Sequence, residues 1–291
     1  MPPPPRVLLF GGFGQLGSEI RRLWGAAQVS APERAQVDIT DPQAVARAIE
    51  ATGPDVLVNC AAFHNVERCE AEPENAFGAN TLAVNAMAER CAAAGVRFVT
   101  FSTDYVFDGT LGRPYTEADV PNPLSVYAAS KYAGELLVQR LRSDALVVRT
   151  CGVYGTRVSP TKGYTFIDRI VVQARAGETV RVVRDQTVSP TYAADLARAV
   201  WQLLEAEAAP GVYHAVNEGP VTWYDYAREA LRCAGVADAI EPISYKDWNS
   251  RVRRPEYSAL ENAKLHALGI SLPDWRSGIT SYFRDKSTIV G

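Results

Sequence analysis

A tyrosine and a lysine stand four residues apart in the sequence NPLSVYAASKYAGELL, at Tyr127 and Lys131. The stretch has the pattern of a helix, and this spacing places the phenol and the ammonium side by side on one face. A phenol with a pKa of about 10 is a poor acid or base at neutral pH until a nearby cation stabilises its anion. Tyr127 and Lys131 are therefore candidates for a general acid and its assisting cation. The alternative is an exposed tyrosine beside a solvated lysine.

Polar residues also follow the apolar run VRFVTF, where Ser102, Thr103 and Asp104 come next. Ligands of parallel sheets bind outside the carboxyl ends of the strands, so we expect Thr103 to reach that crevice. Its hydroxyl can donate a hydrogen bond to a carbonyl oxygen that Tyr127 protonates while hydride arrives from a nicotinamide. The alternative for Thr103 is a cap in a turn after the strand.

Alternating apolar runs and helical patterns must position these groups. The runs RVLLF, DVLVNCAA, VRFVTFS and ALVVRT are separated by helical stretches over 15–25, 74–94 and 125–142. Runs of this kind are typical of parallel strands covered on both faces. We therefore predict an α/β fold with a doubly wound, Rossmann-type parallel sheet.

The alternation of apolar runs and helical patterns ends at about residue 155. Beyond it, irregular segments with aromatic residues and prolines separate the helices. We predict a dinucleotide-binding domain over residues 1–155 and a mainly substrate-binding cap over 156–291. A segment at about 190–215 is expected to pack back on the first domain.

The first strand leads into a glycine turn, RVLLFGGFGQLGSEI, with Gly11, Gly14 and Gly17 at intervals of three. Glycines there allow a tight turn and a close approach of the backbone to a pyrophosphate, and the following helix offers free N–H groups. The pattern predicts a dinucleotide site, and a merely tight connection is the alternative.

The end of the second strand, near AAQVSA, bears on which dinucleotide is bound. Ser30 and Arg34 stand where an NAD-selective site usually has an acidic residue, although Glu33, directly before Arg34, could serve as one. NADPH is therefore favoured, with NADH as the alternative. Asp38 and Ile39 are expected near the adenine, or else as a cap for a helix that starts near Pro42.

Composition argues against several classes of protein. The 291 residues carry a formal net charge of −3 without a dense basic run, so no nucleic-acid partner is expected. Apolar stretches fall short of the roughly 18 residues that span a bilayer, and the N-terminus does not read as a signal peptide. We expect a cytoplasmic protein with no membrane partner. The five cysteines are widely spaced, without a CxxC pair or a Cys/His cluster, which predicts reduced thiols and no metal site.

Several segments together resemble the extended short-chain dehydrogenase/reductases, and within them the dTDP-4-dehydrorhamnose reductase family. They are the glycine turn, PDVLVNCAAFHNVERCEAEPENAF, STDYVFDG, PNPLSVYAASKYAGE, VVRTCGVYG and DQTVSPTYAADLA, and the resemblance runs from residue 6 to about 270. It implies NADPH-dependent reduction of the 4-keto group of a nucleotide-linked deoxyhexose, above all dTDP-4-dehydro-L-rhamnose. A homodimer is the assembly that we expect, if the protein forms one.

The resemblance also implies roles for individual residues. Thr103 and Tyr127 would act on the C4 carbonyl and Lys131 on the nicotinamide ribose. The cofactor would contact three groups: Gly11, Gly14, Gln15 and Leu16 at the pyrophosphate; Asp38 and Ile39 at the adenine; Ala61, Ala62 and Ser102 beneath the ribose and nicotinamide. The sugar would contact His64, Val66, Asp104, Tyr105 and Gly152.

Two departures from the family pattern concern the sugar. The family usually has a tryptophan at the position of Gly152, and its loss should enlarge the pocket or remove a stacking surface. The segment AAFHNVE also differs from the usual small, threonine-containing pattern, and it places Phe63, His64 and Asn65 by the sugar. His64 is either a substrate contact or a structural hydrogen-bonding residue.

Other functions on the same fold stay open. A ketoreductase for another sugar would keep the same residues, and a C4 epimerase would share the tyrosine and the lysine but must retain NAD. Related 4,6-dehydratases place a glutamate where this chain has Tyr105. A non-catalytic NADP-binding subunit, resembling the regulatory subunit of methionine adenosyltransferase, is the alternative outside enzymes.

Overall fold

The computed structural model describes residues 5–25, 29–141, 143–157, 163–236, 240–248, 250 and 252–290. Helices and strands alternate over the first half. In chain order they are β1 (Val7–Phe10), α1 (Gln15–Leu23), β2 (Val29–Ser30), α2 (Pro42–Thr52), β3 (Val56–Asn59), α3 (Val66–Ala71), α4 (Pro73–Phe77), α5 (Ala83–Ala94), β4 (Arg97–Thr103), α6 (Val126–Arg140) and β5 (Ala145–Thr150).

The second half is less regular. Its elements are α7 (Phe166–Arg175), β6 (Val180–Val183), β7 (Thr187–Val188), α8 (Ala193–Glu205), β8 (Gly211–His214), β9 (Val221–Thr222), α9 (Trp223–Cys233), β10 (Ile240–Ile243), α10 (Ala263–Ala267) and α11 (Trp275–Val290). A π-helical turn over Gly78–Leu82 and 3₁₀ turns over Asp104–Val106 and Tyr245–Asp247 complete the described structure.

Within the described residues, six parallel strands form the central sheet in the order β2–β1–β3–β4–β5–β8. Phe10 pairs with Asn59, Asn59 with Thr100, and Thr103 with Thr150, so the carboxyl ends of four strands lie at one edge. The prediction of a doubly wound parallel α/β fold is confirmed.

Alternate strand residues pack against two helical layers. Leu9 and Val58 belong to the core cluster that includes α1 and α8, whereas Leu8 and Leu57 belong to the cluster that includes α2 and α5. Burial on both faces explains why these strands read as continuous apolar runs.

The chain returns to this sheet after leaving it. α8 packs beside α1, where the Trp24 indole donates a hydrogen bond to the Ala197 carbonyl (3.1 Å), and β8 pairs with β5. Three other helices, α7, α9 and α11, enclose a separate core rich in tyrosine and tryptophan. The division into two domains at residue 155 stays a prediction.

The region after β1 differs in detail from expectation. The second strand covers only Val29–Ser30, and residues 26–28 of the predicted AAQVSA strand lie outside the described residues. Asp41, and not Asp38, caps α2 by accepting a hydrogen bond from the Gln43 amide (2.9 Å), because the residue directly before Pro42 has the extended backbone of a cap.

No helix within the described ranges combines the length and apolar character needed to cross a membrane. All five cysteines are free thiols.

Candidate active site

A cavity of about 350 Å³ opens at the carboxyl ends of the central strands. Most of the site residues expected from the sequence line it. They are Gly14, Gln15, Leu16, Ala61, Ala62, His64, Val66, Ser102, Thr103, Asp104, Tyr105, Tyr127, Lys131 and Gly152. The level register of the strands brings together side chains that lie far apart in the sequence.

The glycine turn depends on the absence of two side chains. Gly11 has a φ of +74°, and a Cβ there would lie 2.7 Å from the Ala61 nitrogen. A Cβ at Gly17 would lie 2.2 Å from the Gly11 carbonyl oxygen. β1, its turn and α1 can therefore pack closely only with glycine at both positions. Gly14 at the start of α1 provides no side-chain cap, so the positive end of the helix faces the cavity uncapped.

Gly17→Ala is expected to weaken dinucleotide binding at least ~10-fold, because the added methyl group displaces α1 from the turn at a cost of about 1–3 kcal/mol. Titration of NADPH by fluorescence measures the affinity, and thermal unfolding reports the stability. Gly78→Ala is the matched control, since Gly78 has no atom within 4 Å of an added Cβ. An unchanged affinity in Gly17→Ala would contradict the role of this close contact.

Thr103, Tyr127 and Lys131 come together from β4 and α6. Ser125 fixes the start of α6 by accepting a hydrogen bond from the Ala128 amide (3.2 Å), so Tyr127 lies in the first turn and Lys131 one turn later. Burial lowers the pKa of Lys131 to about 8, whereas the Glu135 carboxyl, one further turn along the helix, acts to raise it.

The electrostatics of Tyr127 differ from expectation. Burial raises the pKa of this phenol above its usual value, the Asp104 carboxyl raises it further, and the Thr103 hydroxyl lowers it. An ionised Asp104 would therefore be the leading charge at the phenol, and not Lys131, whose own pKa responds to Glu135 and Cys60. Tyr127 is accordingly protonated at neutral pH, which is the form that a general acid requires.

Asp104 is a buried carboxyl group with three hydrogen-bonding neighbours. The Thr103 hydroxyl lies 3.0 Å from Oδ1, the Ser258 hydroxyl lies 2.5 Å from Oδ2, and the Cys151 thiol also hydrogen-bonds to the carboxyl. Burial raises the pKa of Asp104 and outweighs these hydrogen bonds. Its predicted contact with a sugar stays a prediction.

A tryptophan that sequence analysis did not assign to the site forms part of the cavity wall. Trp223, the first residue of α9, lies so close to Gly152 that a Cβ there would be 3.0 Å from the indole Cη2. Gly152 also has a φ of +50°, which strains any other residue. The expectation from the missing tryptophan was an enlarged pocket or a lost stacking surface. In the structure the Trp223 ring, from another element, bounds the space beside Gly152.

We expect Trp223→Ala to raise the KM for the sugar substrate about 10-fold and to change kcat less than ~3-fold, because a stacking wall is lost while the reacting groups remain. Steady-state kinetics with the sugar varied at saturating cofactor separates the two constants. Trp248→Ala serves as the control, since Trp248 is 41% exposed and does not line the cavity. Equal KM values for the two variants would exclude Trp223 from the sugar site.

Only one of three neighbouring residues predicted at the sugar lines the cavity. His64 does so, whereas Asn65 caps α3 by accepting a hydrogen bond from the Arg68 amide (3.0 Å). The Phe63 backbone exchanges two hydrogen bonds of 2.9 Å with the Asn80 side chain, and its ring packs under Arg68. Asn65 and Phe63 thus shape the loop that presents His64.

The residues expected near the adenine lie outside this cavity. Arg34 is largely exposed, with its guanidinium 3.9 Å from the Asp38 carboxylate. Asp38 accepts hydrogen bonds from the Thr40 amide (2.9 Å) and hydroxyl (2.7 Å), which lower its pKa. Ile39 packs against the core. Their cofactor contacts stay predictions.

The cavity has the polar groups that a dinucleotide needs. Ser102 Oγ and Thr150 Oγ1 are buried without a hydrogen-bond partner among the described residues, and both side chains line the cavity. Together with the open end of α1 and the Lys131 ammonium, they fit the ribose hydroxyls and the pyrophosphate of a nicotinamide dinucleotide. The described residues contain no cluster of three or more histidine, cysteine, aspartate or glutamate side chains suited to a metal ion.

Comparison with known proteins places this geometry in a family. The sequence model described as the RmlD substrate binding domain matches residues 5–288. The chain is 34% identical over 285 residues to the spore coat polysaccharide biosynthesis protein SpsK of Bacillus subtilis, covering 97% of this chain and 98% of that protein. It is 38% identical over 287 residues to dTDP-4-dehydrorhamnose reductase of Mycobacterium tuberculosis, with 95% and 91% covered.

The crystal structure of dTDP-4-dehydrorhamnose reductase from Bacillus anthracis in complex with NADP is similar throughout. Its TM-score is 0.91 at 30% identity, with 97% of this chain and 99% of that chain covered. The likeness therefore extends over the sheet, the cavity and the C-terminal helices.

Proposed function

We infer the function from the premise that this chain belongs to the RmlD substrate binding domain family. The protein is an NADPH-dependent oxidoreductase that reduces the 4-keto group of a dTDP-linked sugar. The cofactor assignment rests on the NADP-bound relative and on the fit of the glycine turn and the polar cavity groups.

One observation carries the proposal. Thr103, Tyr127 and Lys131 line the same cavity as the first residues of α1. A hydrogen-bond donor, a protonated phenol and a cation therefore surround one space next to a dinucleotide-binding turn, which is what reduction of a carbonyl group requires.

NADPH, when bound, supplies the hydride that is added to C4 of the sugar. Tyr127 donates its phenol proton to the oxygen that becomes O4, and the Thr103 hydroxyl donates a hydrogen bond to the same oxygen. Lys131 would hold the nicotinamide ribose. Val66, Tyr105 and Trp223 would exclude water from the sugar, because their side chains wall the cavity.

The proposal also specifies the sugar substrate, the location of the protein in the cell and its oligomeric state. We take dTDP-4-dehydro-L-rhamnose, reduced to dTDP-L-rhamnose, as the substrate, since this is the reaction implied by the name of the M. tuberculosis relative. The cytoplasmic location and the homodimer predicted from the sequence belong to the same proposal.

The test is the loss of NADPH absorbance when purified protein meets dTDP-4-dehydro-L-rhamnose, run beside NADH and beside a reaction without sugar. Oxidation that depends on the sugar and is faster with NADPH is the expected result. NADPH binding without oxidation would contradict the proposed substrate. Other dTDP-4-keto sugars would then be assayed, followed by partner binding as a non-catalytic subunit.

A further inference from the structure

The Thr103 hydroxyl has competing hydrogen-bond partners, which are the Asp104 carboxyl, the Tyr127 phenol and the keto oxygen of a bound substrate. Thr103 Oγ1 lies 3.0 Å from Asp104 Oδ1 and accepts a hydrogen bond from the Tyr105 amide at 3.2 Å. A hydroxyl group has one hydrogen to donate. If Asp104 is a carboxylate, that hydrogen is held by the carboxylate, and Thr103 has none for a substrate carbonyl.

Within the described residues, Asp104 has no positively charged hydrogen-bond partner. Its donors favour the carboxylate, but burial outweighs them and favours the neutral acid. Its side chain is 2% exposed, and its partners are the hydroxyls of Thr103 and Ser258 and the thiol of Cys151, none of which carries a positive charge. These partners come from β4, from the C-terminal segment and from the end of β5.

The other titratable groups near Asp104 are two half-buried tyrosines. Tyr127 comes from α6 and Tyr105 from the 3₁₀ turn, and burial raises the pKa of each, so both are neutral. The positive charge that acts on Tyr105 is that of Arg254, which is paired with Glu67. The geometry and the raised pKa of Asp104 therefore agree.

We propose that Asp104 is protonated in the active form of the site, and that it donates its proton to Thr103 Oγ1 so that the Thr103 hydrogen turns to the keto oxygen. This inference rests on the proposed reductase function. Asp104 is a positioning residue, since it acts through Thr103. Its proton is not consumed: the proton that ends on O4 comes from Tyr127, and the Asp104 proton stays on the carboxyl group.

A direct consequence concerns pH. A raised pKa means that the neutral acid persists below that pKa and is lost as the pH rises through it. Above that pH the Thr103 hydrogen returns to the carboxylate, and the keto oxygen loses one donor. The loss of one such donor lowers kcat about 100-fold. Lys131, with a pKa of about 8, adds its own loss of activity on the alkaline side.

The first experiment records the infrared band of a protonated carboxyl group in the NADP-bound protein as a function of pH. We expect a band at neutral pH that is absent from Asp104→Asn, and that disappears as the pH rises. A wild-type spectrum without this band at a pH where the protein is active would overturn the inference. A band in a protein that reduces no keto sugar would instead refute the proposed function and leave the protonation of Asp104 intact.

Two variants test the consequence for turnover. Ser258→Ala removes a donor that favours the carboxylate, so the band and the alkaline fall in kcat/KM should both move to higher pH. In Asp104→Asn the amide donates to Thr103 as the neutral acid does, so we expect kcat/KM to fall less than ~10-fold. Its decrease at alkaline pH should then be set by Lys131 alone. An Asp104→Asn variant that binds NADPH but whose kcat/KM falls more than ~100-fold at every pH would overturn the inference. A pH profile of kcat/KM in Ser258→Ala that is unchanged from the wild type would also overturn it.

Discussion

Replacement of Tyr127 by phenylalanine is expected to reduce kcat at least ~100-fold, because the change removes the only proton that the phenol can give to the keto oxygen. The ring remains in place in the half-buried first turn of α6, so the dissociation constant of NADPH should change less than ~3-fold. Single-turnover oxidation of NADPH, with fluorescence titration of the cofactor, measures both quantities.

Tyr132→Phe is the control for this prediction. Tyr132 lies on the same helix and packs against the cluster of Phe107 and Tyr115, but it does not itself line the cavity. It should keep turnover close to that of the wild type. Equal rates in the two variants would remove Tyr127 from the proton-transfer step.

Glu135→Gln is expected to lower the free energy of unfolding by about 3–5 kcal/mol, because it leaves a buried guanidinium without its counter-ion. Arg149 and Glu135 are 4% and 1% exposed, and Arg149 Nη2 lies 2.6 Å from Glu135 Oε2. His214, another neighbour of Arg149, supplies no negative charge: burial, and then Arg149 itself, lower its pKa to about 3, so the imidazole is neutral. Urea denaturation followed by circular dichroism measures the change.

The matched control is Glu89→Gln, which breaks an exposed ion pair with Arg140 (3.0 Å) and should cost less than about 1 kcal/mol. Changing Glu135 and Arg149 together to methionine should recover part of the loss, since neither charge of this pair then remains. A cost for Glu135→Gln as small as that of the control would mean that water reaches Arg149.

The sequence allowed the sheet and the position of the site to be predicted for a physical reason. Strands covered on both faces are apolar throughout, so their ends are visible where polar residues begin, as after Phe101. In a parallel sheet those ends share one edge, so Thr103 and the glycine turn were expected to meet. Helical periodicity then placed Tyr127 and Lys131 one turn apart.

What the sequence could not predict are contacts between distant segments. Ser258 bonds to a residue 154 positions earlier, and no local pattern connects the two. Trp223 reads as an ordinary residue at a helix start, and only the folded chain brings it to Gly152. The sequence did contain one signal of such a contact: an arginine inside the apolar run ALVVRT needs a buried partner, which the structure identifies as Glu135.

The position of β8 and Ser258 late in the chain determines when the protein can become functional during its synthesis. The ribosome releases the first five strands well before Gly211, so β5 is an unpaired edge until β8 arrives. The Asp104 carboxyl acquires its Ser258 donor later still. A nascent chain interrupted before residue 258 therefore has an incomplete catalytic centre, and one interrupted before residue 211 also exposes an edge prone to aggregation.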